Sequence, residues 1–219
     1  MTDPNPITIP AENCSTCIAR QPNWFCSLSP QALVEFDALG MQMTVPLGGT
    51  LFFEAQFARS VYVLCSGHVK LTASSRDGKT LLVRIAKPGD VLGLSAVIAG
   101  TPYELTAQTL DVARIKSLQC QDFLDFIERH IEGSMHATKM LNGEYRNALD
   151  DAIRLALSTS ISGRVARLLL QMASGNTAHH PRFIISLTHQ DIAAMLGTTR
   201  ESVSRTLNEM KRKKIIAIQ

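Results

Sequence analysis

Apolar residues recur at helical spacing in two short blocks near the end of the chain. Positions three and four residues apart lie on one face of a helix, so each block predicts an amphipathic helix with a buried face. The predicted buried residues are Ile192, Ala193 and Leu196 in the first block and Val203, Leu207 and Met210 in the second.

Signals that begin and end helices surround these two blocks. Thr188 is suited to cap the first helix, with Asp191 in its first turn. Gly197 is predicted to end that helix, because the turn needs a residue that adopts positive φ readily. Thr198 or Thr199 then caps the second helix. The two blocks therefore predict a helix-turn-helix.

The middle of the chain, from about 41 to 118, has short apolar or alternating runs separated by turns. Residues 61–64, 68–72 and 81–85 are predicted strands, and Asp77-Gly78 predicts a hairpin turn between two of them. Many short strands at regular spacing indicate a small antiparallel barrel or jelly roll.

Helical patterns flank this middle region. Ser29 and Pro30 predict the start of a short helix, as N-cap and first helical residue. A longer helical stretch runs from Asp122 to about Leu157, and the heptad spacing of one seam predicts that two copies of the chain pair along it. A helix packed only on its own domain is the alternative, because the seam is small and partly polar. The seam consists of Met135, Thr138, Asn142, Tyr145, Leu149, Ala152 and Ala156.

The composition is that of an ordinary globular protein, with 219 residues of which 45% are hydrophobic and 19% charged. No apolar run approaches the roughly 20 residues of a membrane-spanning helix. The first six residues lack the basic and apolar regions of a secretory signal. We therefore expect a cytoplasmic protein without a membrane partner, whose five cysteines are thiols or metal ligands rather than structural disulfides.

Charge is distributed unevenly along the chain. Residues 158–219 contain nine basic and three acidic side chains and carry a net charge of +6, whereas the rest of the chain carries −3. A basic segment attached to a mildly acidic body predicts binding to a polyanion. The run KRKK at 211–214 is suited to phosphate contacts, which position a protein without reading base sequence.

The outward face of the second predicted helix carries four candidate base-reading residues. In a helix-turn-helix, the start of the second helix meets base edges in the major groove of double-stranded DNA. An arginine there donates two hydrogen bonds to guanine, and a glutamate accepts one from cytosine. A helical hairpin with a solvated charged face is the alternative, but it leaves the agreement of caps, glycine turn and basic tail unexplained. The candidates are Arg200, Glu201, Ser204 and Arg205.

The order of arm, β-roll, long helix and helix-turn-helix resembles the Crp/Fnr family of bacterial transcription regulators over nearly the whole chain. The resemblance is carried by VYVLCSGHVKL (61–71), PGDVLG (88–93), SGRVARLL (162–169) and, most specifically, LTHQDIAAMLGTTRESVSR (187–205). It implies an α+β fold with an antiparallel, jelly-roll-like β-roll of the cyclic-nucleotide-binding type, a long dimerisation helix and a winged helix-turn-helix. The implied domains are a cysteine-containing arm at 1–28, a β-roll sensor domain at 29–125, the dimerisation helix at 126–157 and the DNA-binding domain at 158–219.

The resemblance also implies roles for individual residues. Glu201 and Arg205 match base-reading positions, Ser204 matches the oxygen-sensing branch, and Arg200 matches the cyclic-AMP branch. The half-site therefore resembles either TTGA or TGTGA. A homodimer would place two recognition helices about 34 Å apart on a palindromic site. RNA polymerase would meet loops such as 76–79 and 175–177. Positions matching phosphate contacts are His189, Gln190, Thr199 and Ser202, to which the basic run adds Lys213.

The resemblance bears on what the β-roll binds. In family members that bind cyclic nucleotides, a glutamate takes the ribose hydroxyl and an arginine takes the phosphate. The segment that matches the glutamate motif reads Gly93-Leu94-Ser95 here, and the segment that matches the arginine motif reads Glu104-Leu105. An apolar side chain cannot accept the hydroxyl bond, and a carboxylate repels a phosphate. We therefore expect that the chain does not bind a cyclic nucleotide in the usual mode.

Cys14, Cys17 and Cys26 are the candidate metal ligands, because Cys-x2-Cys lets two thiolates converge on one metal. The oxygen-sensing branch of the family implies a [4Fe–4S] cluster with a fourth cysteine from the roll. That position aligns near Lys116, and the nearest cysteine is Cys120, four residues later.

Three interpretations of these cysteines stay open: an oxygen- or NO-labile iron–sulfur centre, a thiol–disulfide switch or zinc site, and cysteines without a metal. Cys65 is interpreted as a small core residue. The predicted function is a homodimeric DNA-binding transcription regulator gated by a redox or gas signal. The alternative is a constitutive or small-ligand-responsive regulator with no metal centre. Without a nucleophile elbow, a phosphate loop or an HExxH motif, the sequence does not predict an enzyme.

Overall fold

The structure, a computed structural model, describes residues 13–17, 19–22, 24–75, 80–157, 160–173 and 187–217. Two four-stranded antiparallel sheets form a β-roll, which confirms the predicted fold. One sheet has the order β1-β8-β3-β6 and the other β2-β7-β4-β5. The strands are β1 (Gly40–Val45), β2 (Thr50–Phe52), β3 (Ser60–Ser66), β4 (Val69–Ser74), β5 (Thr80–Ala86), β6 (Val91–Leu92), β7 (Thr106–Thr109) and β8 (Ala113–Gln119).

The predicted hairpin pairs β4 with β5, with Ser74 opposite Thr80. Its turn at Asp77-Gly78 lies outside the described residues, as do the loops 76–79 and 175–177 that were expected to meet RNA polymerase. Residues 174–186 also lie outside them.

Seven α-helices and one short 3-10 helix are present in the described ranges. The first α-helix begins as predicted, because the Ser29 side chain accepts a hydrogen bond from the backbone N–H of Ala32 and Pro30 follows it. The long predicted helical stretch is divided at His130, whose extended backbone (φ −116°, ψ 99°) ends one helix before the next begins. The helices are a 3-10 turn (Cys14–Thr16), α1 (Pro30–Ala38), α2 (Leu94–Ala99), α3 (Cys120–Arg129), α4 (Ile131–Leu157), α5 (Ile161–Ala173), α6 (His189–Met195) and α7 (Arg200–Arg212).

The buried residues form two separate cores. The larger core fills the roll and includes the residues around Phe25, whose ring lies 5.4 Å from that of Phe36 and 5.5 Å from that of Phe123. The cysteine-containing part of the predicted arm is therefore packed into the roll. The smaller core joins α5, α6 and α7, and α6 also lies against β5.

Helix α4 has two contrasting faces. Ala137 is buried against the roll, and Glu144 accepts a hydrogen bond from Arg84 of β5 at 2.6 Å. The predicted seam lies on another face, and all of its residues from Met135 to Ala152 are exposed in the single chain. The side chain of Ala156 lies outside the described residues. None of the helices in the described part of the chain is long and apolar enough to cross a membrane.

Candidate functional site

The helix-turn-helix is built by the local signals that the sequence predicted. Thr188 caps α6: its hydroxyl oxygen accepts from the Asp191 N–H at 3.1 Å, and the Asp191 carboxylate accepts from the Thr188 N–H at 2.9 Å. Gly197 adopts the expected positive φ of 58° in the turn. Thr199 caps α7 by accepting from the Ser202 N–H at 3.3 Å. These bonds satisfy backbone groups that a helix start leaves unpaired.

Helix α7 buries one face and presents the other to solvent. Its buried residues are Val203, Leu207 and Met210, as the apolar spacing predicted. Arg200, Glu201 and Arg205 are exposed. Ser204 is half-buried, and its hydroxyl oxygen lies 2.8 Å from Nδ1 of His189 on α6. Three of the four predicted base-reading side chains thus project freely, whereas the fourth is held against the neighbouring helix.

The predicted phosphate contacts differ in their surroundings. Gln190 is exposed at the start of α6. The hydroxyl groups of Thr199 and Ser202 lie 3.0 Å apart. Nζ of Lys213 lies 2.7 Å from the Glu209 carboxylate, and this bond lowers the pKa of Glu209. Both side chains are exposed, and an exposed ion pair of this kind is weak. The pair therefore leaves the Lys213 side chain exposed to solvent.

The three N-terminal cysteines line one cavity of the roll. Cys14, Cys17 and Cys26 meet Cys65 of β3 there, and Cys120 is not part of the lining. The sequence left the fourth ligand open, with Cys120 only as the nearest cysteine to the family's position, and interpreted Cys65 as a core residue. The cavity instead places Cys65 with the other three. The register of β3 against β8 shifts between Leu64 and Ser66, and such a bulge redirects a side chain.

Two cations complete the wall of this cavity. Arg114 and Lys116 of β8 line it, and Lys116 is only 1% exposed. Nζ of Lys116 donates a hydrogen bond to the backbone oxygen of Asp37 at 2.7 Å and lies 3.4 Å from that residue's carboxylate. A buried ammonium group is costly unless it is paired and hydrogen-bonded, so this arrangement explains how a lysine occupies the position where the resemblance implied a cysteine.

Burial shifts the pKa of the Cys14, Cys26 and Cys65 thiols upward. It raises the pKa of Cys14 to about 12, together with the hydrogen bond from that thiol to the Asp37 carboxylate. It also raises the pKa of Cys26 to about 11 and raises the pKa of Cys65. The positive charge of Lys116 acts in the opposite direction on Cys14 and Cys65. Such thiols are poor nucleophiles until an ion or a further charge stabilises the thiolate.

Two family models match this chain. The model of the cyclic nucleotide-binding domain matches residues 42–130, and that of the Crp-like helix-turn-helix domain matches residues 163–219. The pair reproduces the order of the two units that the structure shows. The chain belongs to the Crp/Fnr family of transcription regulators.

Similar proteins support this membership along most of the chain. The nitrogen fixation regulation protein FixK of Bradyrhizobium diazoefficiens is 28% identical over 94% of this chain and 86% of its own length. The CRP-like cAMP-activated global transcriptional regulator of Mycobacterium tuberculosis is 27% identical over 84% of this chain and 83% of its own length. The structure of FixK2 from Bradyrhizobium japonicum has a TM-score of 0.73 at 23% identity, covering 82% of this chain and 88% of that one, and so shows the shared fold.

In this Crp/Fnr fold, the positions of the glutamate and arginine that bind a cyclic nucleotide in the family hold other residues. Leu94 is 1% exposed and belongs to the roll core. The Ser95 hydroxyl donates a hydrogen bond to the Glu104 carboxylate at 3.0 Å. A carboxylate held at this position keeps negative charge where the family's nucleotide phosphate would lie, which is unfavourable for binding.

The [4Fe–4S] cluster implied by the oxygen-sensing branch does not fit the cysteine cavity. The cavity offers about 20 Å³ of space for the centre of a water-sized particle. A single water needs roughly 10–15 Å³ on this measure. Four irons and four sulfides therefore exceed the available space. Among the residues that the structure describes, no three His, Cys, Asp or Glu side chains are already arranged to hold a metal ion.

Proposed function

We propose that this Crp/Fnr protein is a homodimeric, sequence-specific DNA-binding regulator that reads bases with α7. The observation that carries the proposal is the exposure of Arg200, Glu201 and Arg205 along a helix that is capped by Thr199 and buried on its opposite face. A helix anchored in this way presents these side chains on the face that meets base edges in the major groove. Ser204 is a fourth base-reading residue, positioned by His189. The proposal assigns the protein to the cytoplasm and gives it no catalytic activity.

The exposed seam of α4 supports pairing with a second copy. Met135 is 51% exposed and Tyr145 66% exposed, although both are large apolar or aromatic residues. A heptad seam of this kind becomes buried when two helices pair. Pairing would place two α7 helices about one turn of DNA apart, which suits a palindromic site. Light scattering of the full chain tests this: a monomer at micromolar concentration, free or on DNA, would contradict the dimer.

The DNA-reading role is tested with Arg205→Ala on palindromes built from TTGA and from TGTGA half-sites. We expect a loss of about 1–3 kcal/mol on the preferred palindrome and relaxed preference at one base pair, because a bidentate contact to a base is removed. Fluorescence anisotropy at fixed salt measures both. Arg59→Ala removes one exposed arginine from the roll and is the matched control. Equal loss on all sequences would mean that Arg205 contacts only phosphate.

We also propose that the cysteine cavity is where a redox or gas signal acts on the regulator. The support is its position: the N-terminal residues, α1, β1, β3 and β8 all line the cavity, and they belong to the core on which α4 packs. The alternative is a constitutive or small-ligand-responsive regulator with no metal centre. Cysteine-independent binding to the preferred palindrome, under reducing and oxidising conditions alike, would favour that alternative.

A further inference from the structure

Four of the chain's five cysteines line a single cavity, although they come from three separate parts of the chain. Cys14 and Cys17 lie at the 3-10 turn, Cys26 follows Trp24 and Phe25, and Cys65 lies at the bulge of β3. Cys14 and Cys26 are buried, and Cys17 and Cys65 are half-buried. The fold therefore gathers four soft donors that the sequence places up to 51 positions apart.

The size and the donors of the cavity select a class of ligand. The space of about 20 Å³ accommodates one particle of the size of a water molecule. Four thiolates around one small ion are the donor set of structural zinc sites, in which the ion is tetrahedral. Calcium and magnesium prefer oxygen ligands and do not match this set.

The charge of the cavity wall suits the same ligand. A divalent ion with four thiolates carries a net charge of −2. Arg114 and Lys116 in the wall are positive, and Asp37 beside Lys116 supplies one negative charge. The charges of Arg114 and Lys116 act to lower the pKa of Cys65, and that of Lys116 acts to lower the pKa of Cys14, so both cations favour the thiolates that a metal needs.

The thiols make other hydrogen bonds that metal binding would replace. The Cys65 thiol donates to the backbone oxygen of Val63 at 3.7 Å, and the Cys14 thiol donates to the Asp37 carboxylate. The Cys65 bond joins residues only two positions apart in one strand. If the Cys14 thiol turns away, the Asp37 carboxylate still accepts from the Cys14 N–H and from Lys116. The sulfur atoms do not surround a common metal position in the structure, so binding requires these side chains to rotate about Cα–Cβ.

We infer that Cys14, Cys17, Cys26 and Cys65 bind a single Zn²⁺ ion through four thiolates. Each thiol loses its proton to solvent as its Zn–S bond forms, so binding releases protons and weakens at low pH. The ion joins the N-terminal residues to β3 and so fastens them to the roll. This site differs from the family's cluster in its fourth cysteine and in holding one metal ion rather than four irons.

The test compares the full-length wild type with Cys65→Ser and Cys120→Ser, all purified under anaerobic, reducing conditions. Zinc, iron and sulfide are quantified, and Co²⁺ is titrated as a spectroscopic probe followed by competition with Zn²⁺. We expect about one zinc per chain and thiolate-to-cobalt absorption in the wild type and in Cys120→Ser. Cys65→Ser should lose at least about 100-fold in affinity, because even residues behind the ligands cost 10–100-fold.

A second measurement does not depend on the variants folding. Alkylation of the wild type with and without a chelator, read by mass spectrometry, should show that zinc protects the four cavity thiols together and leaves Cys120 reactive. Equal Zn²⁺ affinity in the two variants, protection of fewer than four cavity thiols, or iron and sulfide in place of zinc would overturn the inference. Metal content is measured without DNA, so any of these results leaves the DNA-binding proposal standing.

Discussion

The two cores of this Crp/Fnr protein differ in how far along the chain they gather their residues. The smaller core, which supports the DNA-reading helix, draws only on residues from Ile161 to Ile216. The larger core combines residues from Cys14 to Ala137 and encloses the cysteine cavity. The DNA-reading helix is held by residues that are close in sequence, so it can form as a local unit. The cysteine cavity exists only when segments that are far apart in sequence are packed together. The cavity is therefore the part of the molecule whose chemistry depends on the integrity of the whole roll.

The largest expected effect tests whether the N-terminal residues belong to the roll. Phe25 is fully buried and its ring also lies 6.5 Å from that of Phe126. Phe25→Ala should lower the free energy of unfolding of the roll by about 3–5 kcal/mol, because a large cavity is left in the core. Urea unfolding is followed by fluorescence of Trp24, the chain's one tryptophan, which itself lines the cysteine cavity.

The matched control is Phe53→Ala, because Phe53 is 60% exposed and its loss should change stability by no more than about 0.5 kcal/mol. If Phe25→Ala cost as little as Phe53→Ala, the N-terminal residues would be an independent arm, and the contrast between the two cores would fail.

The same contrast explains what the sequence could predict. Thr188, Gly197 and Thr199 act on backbone groups within three residues of themselves, so capping and turn rules locate them from sequence alone. The association of Cys65 with Cys14 required the bulge in β3 and the packing of the N-terminal residues on the roll, and neither leaves a periodic signal. The bond between His189 and Ser204 was missed for a related reason, since it depends on how α6 crosses α7.

A smaller effect is expected from a change confined to the DNA-binding core. Thr188→Ala removes the cap of α6 and should destabilise the helix-turn-helix by about 1 kcal/mol. Hydrogen exchange of the α6 and α7 amides should accelerate, while Trp24 fluorescence reports an unchanged roll. Gln190→Ala, at an exposed position in the same turn, is the control. A matching loss in the roll would show that the two cores unfold as one unit.

The smallest effect concerns a residue at the edge of the DNA-binding core. Lys213→Ala should weaken binding to all DNA sequences uniformly and reduce the slope of log K against log salt by about one, because one phosphate contact and its released counterion are lost. The exposed pair with Glu209 does not prevent that contact, since such pairs exchange readily with solvent and other charges. Lys139→Ala, an exposed lysine on α4, should leave the slope unchanged. An unchanged slope in Lys213→Ala as well would place Lys213 in solvent and confine the phosphate contacts to the start of α6 and the turn before α7.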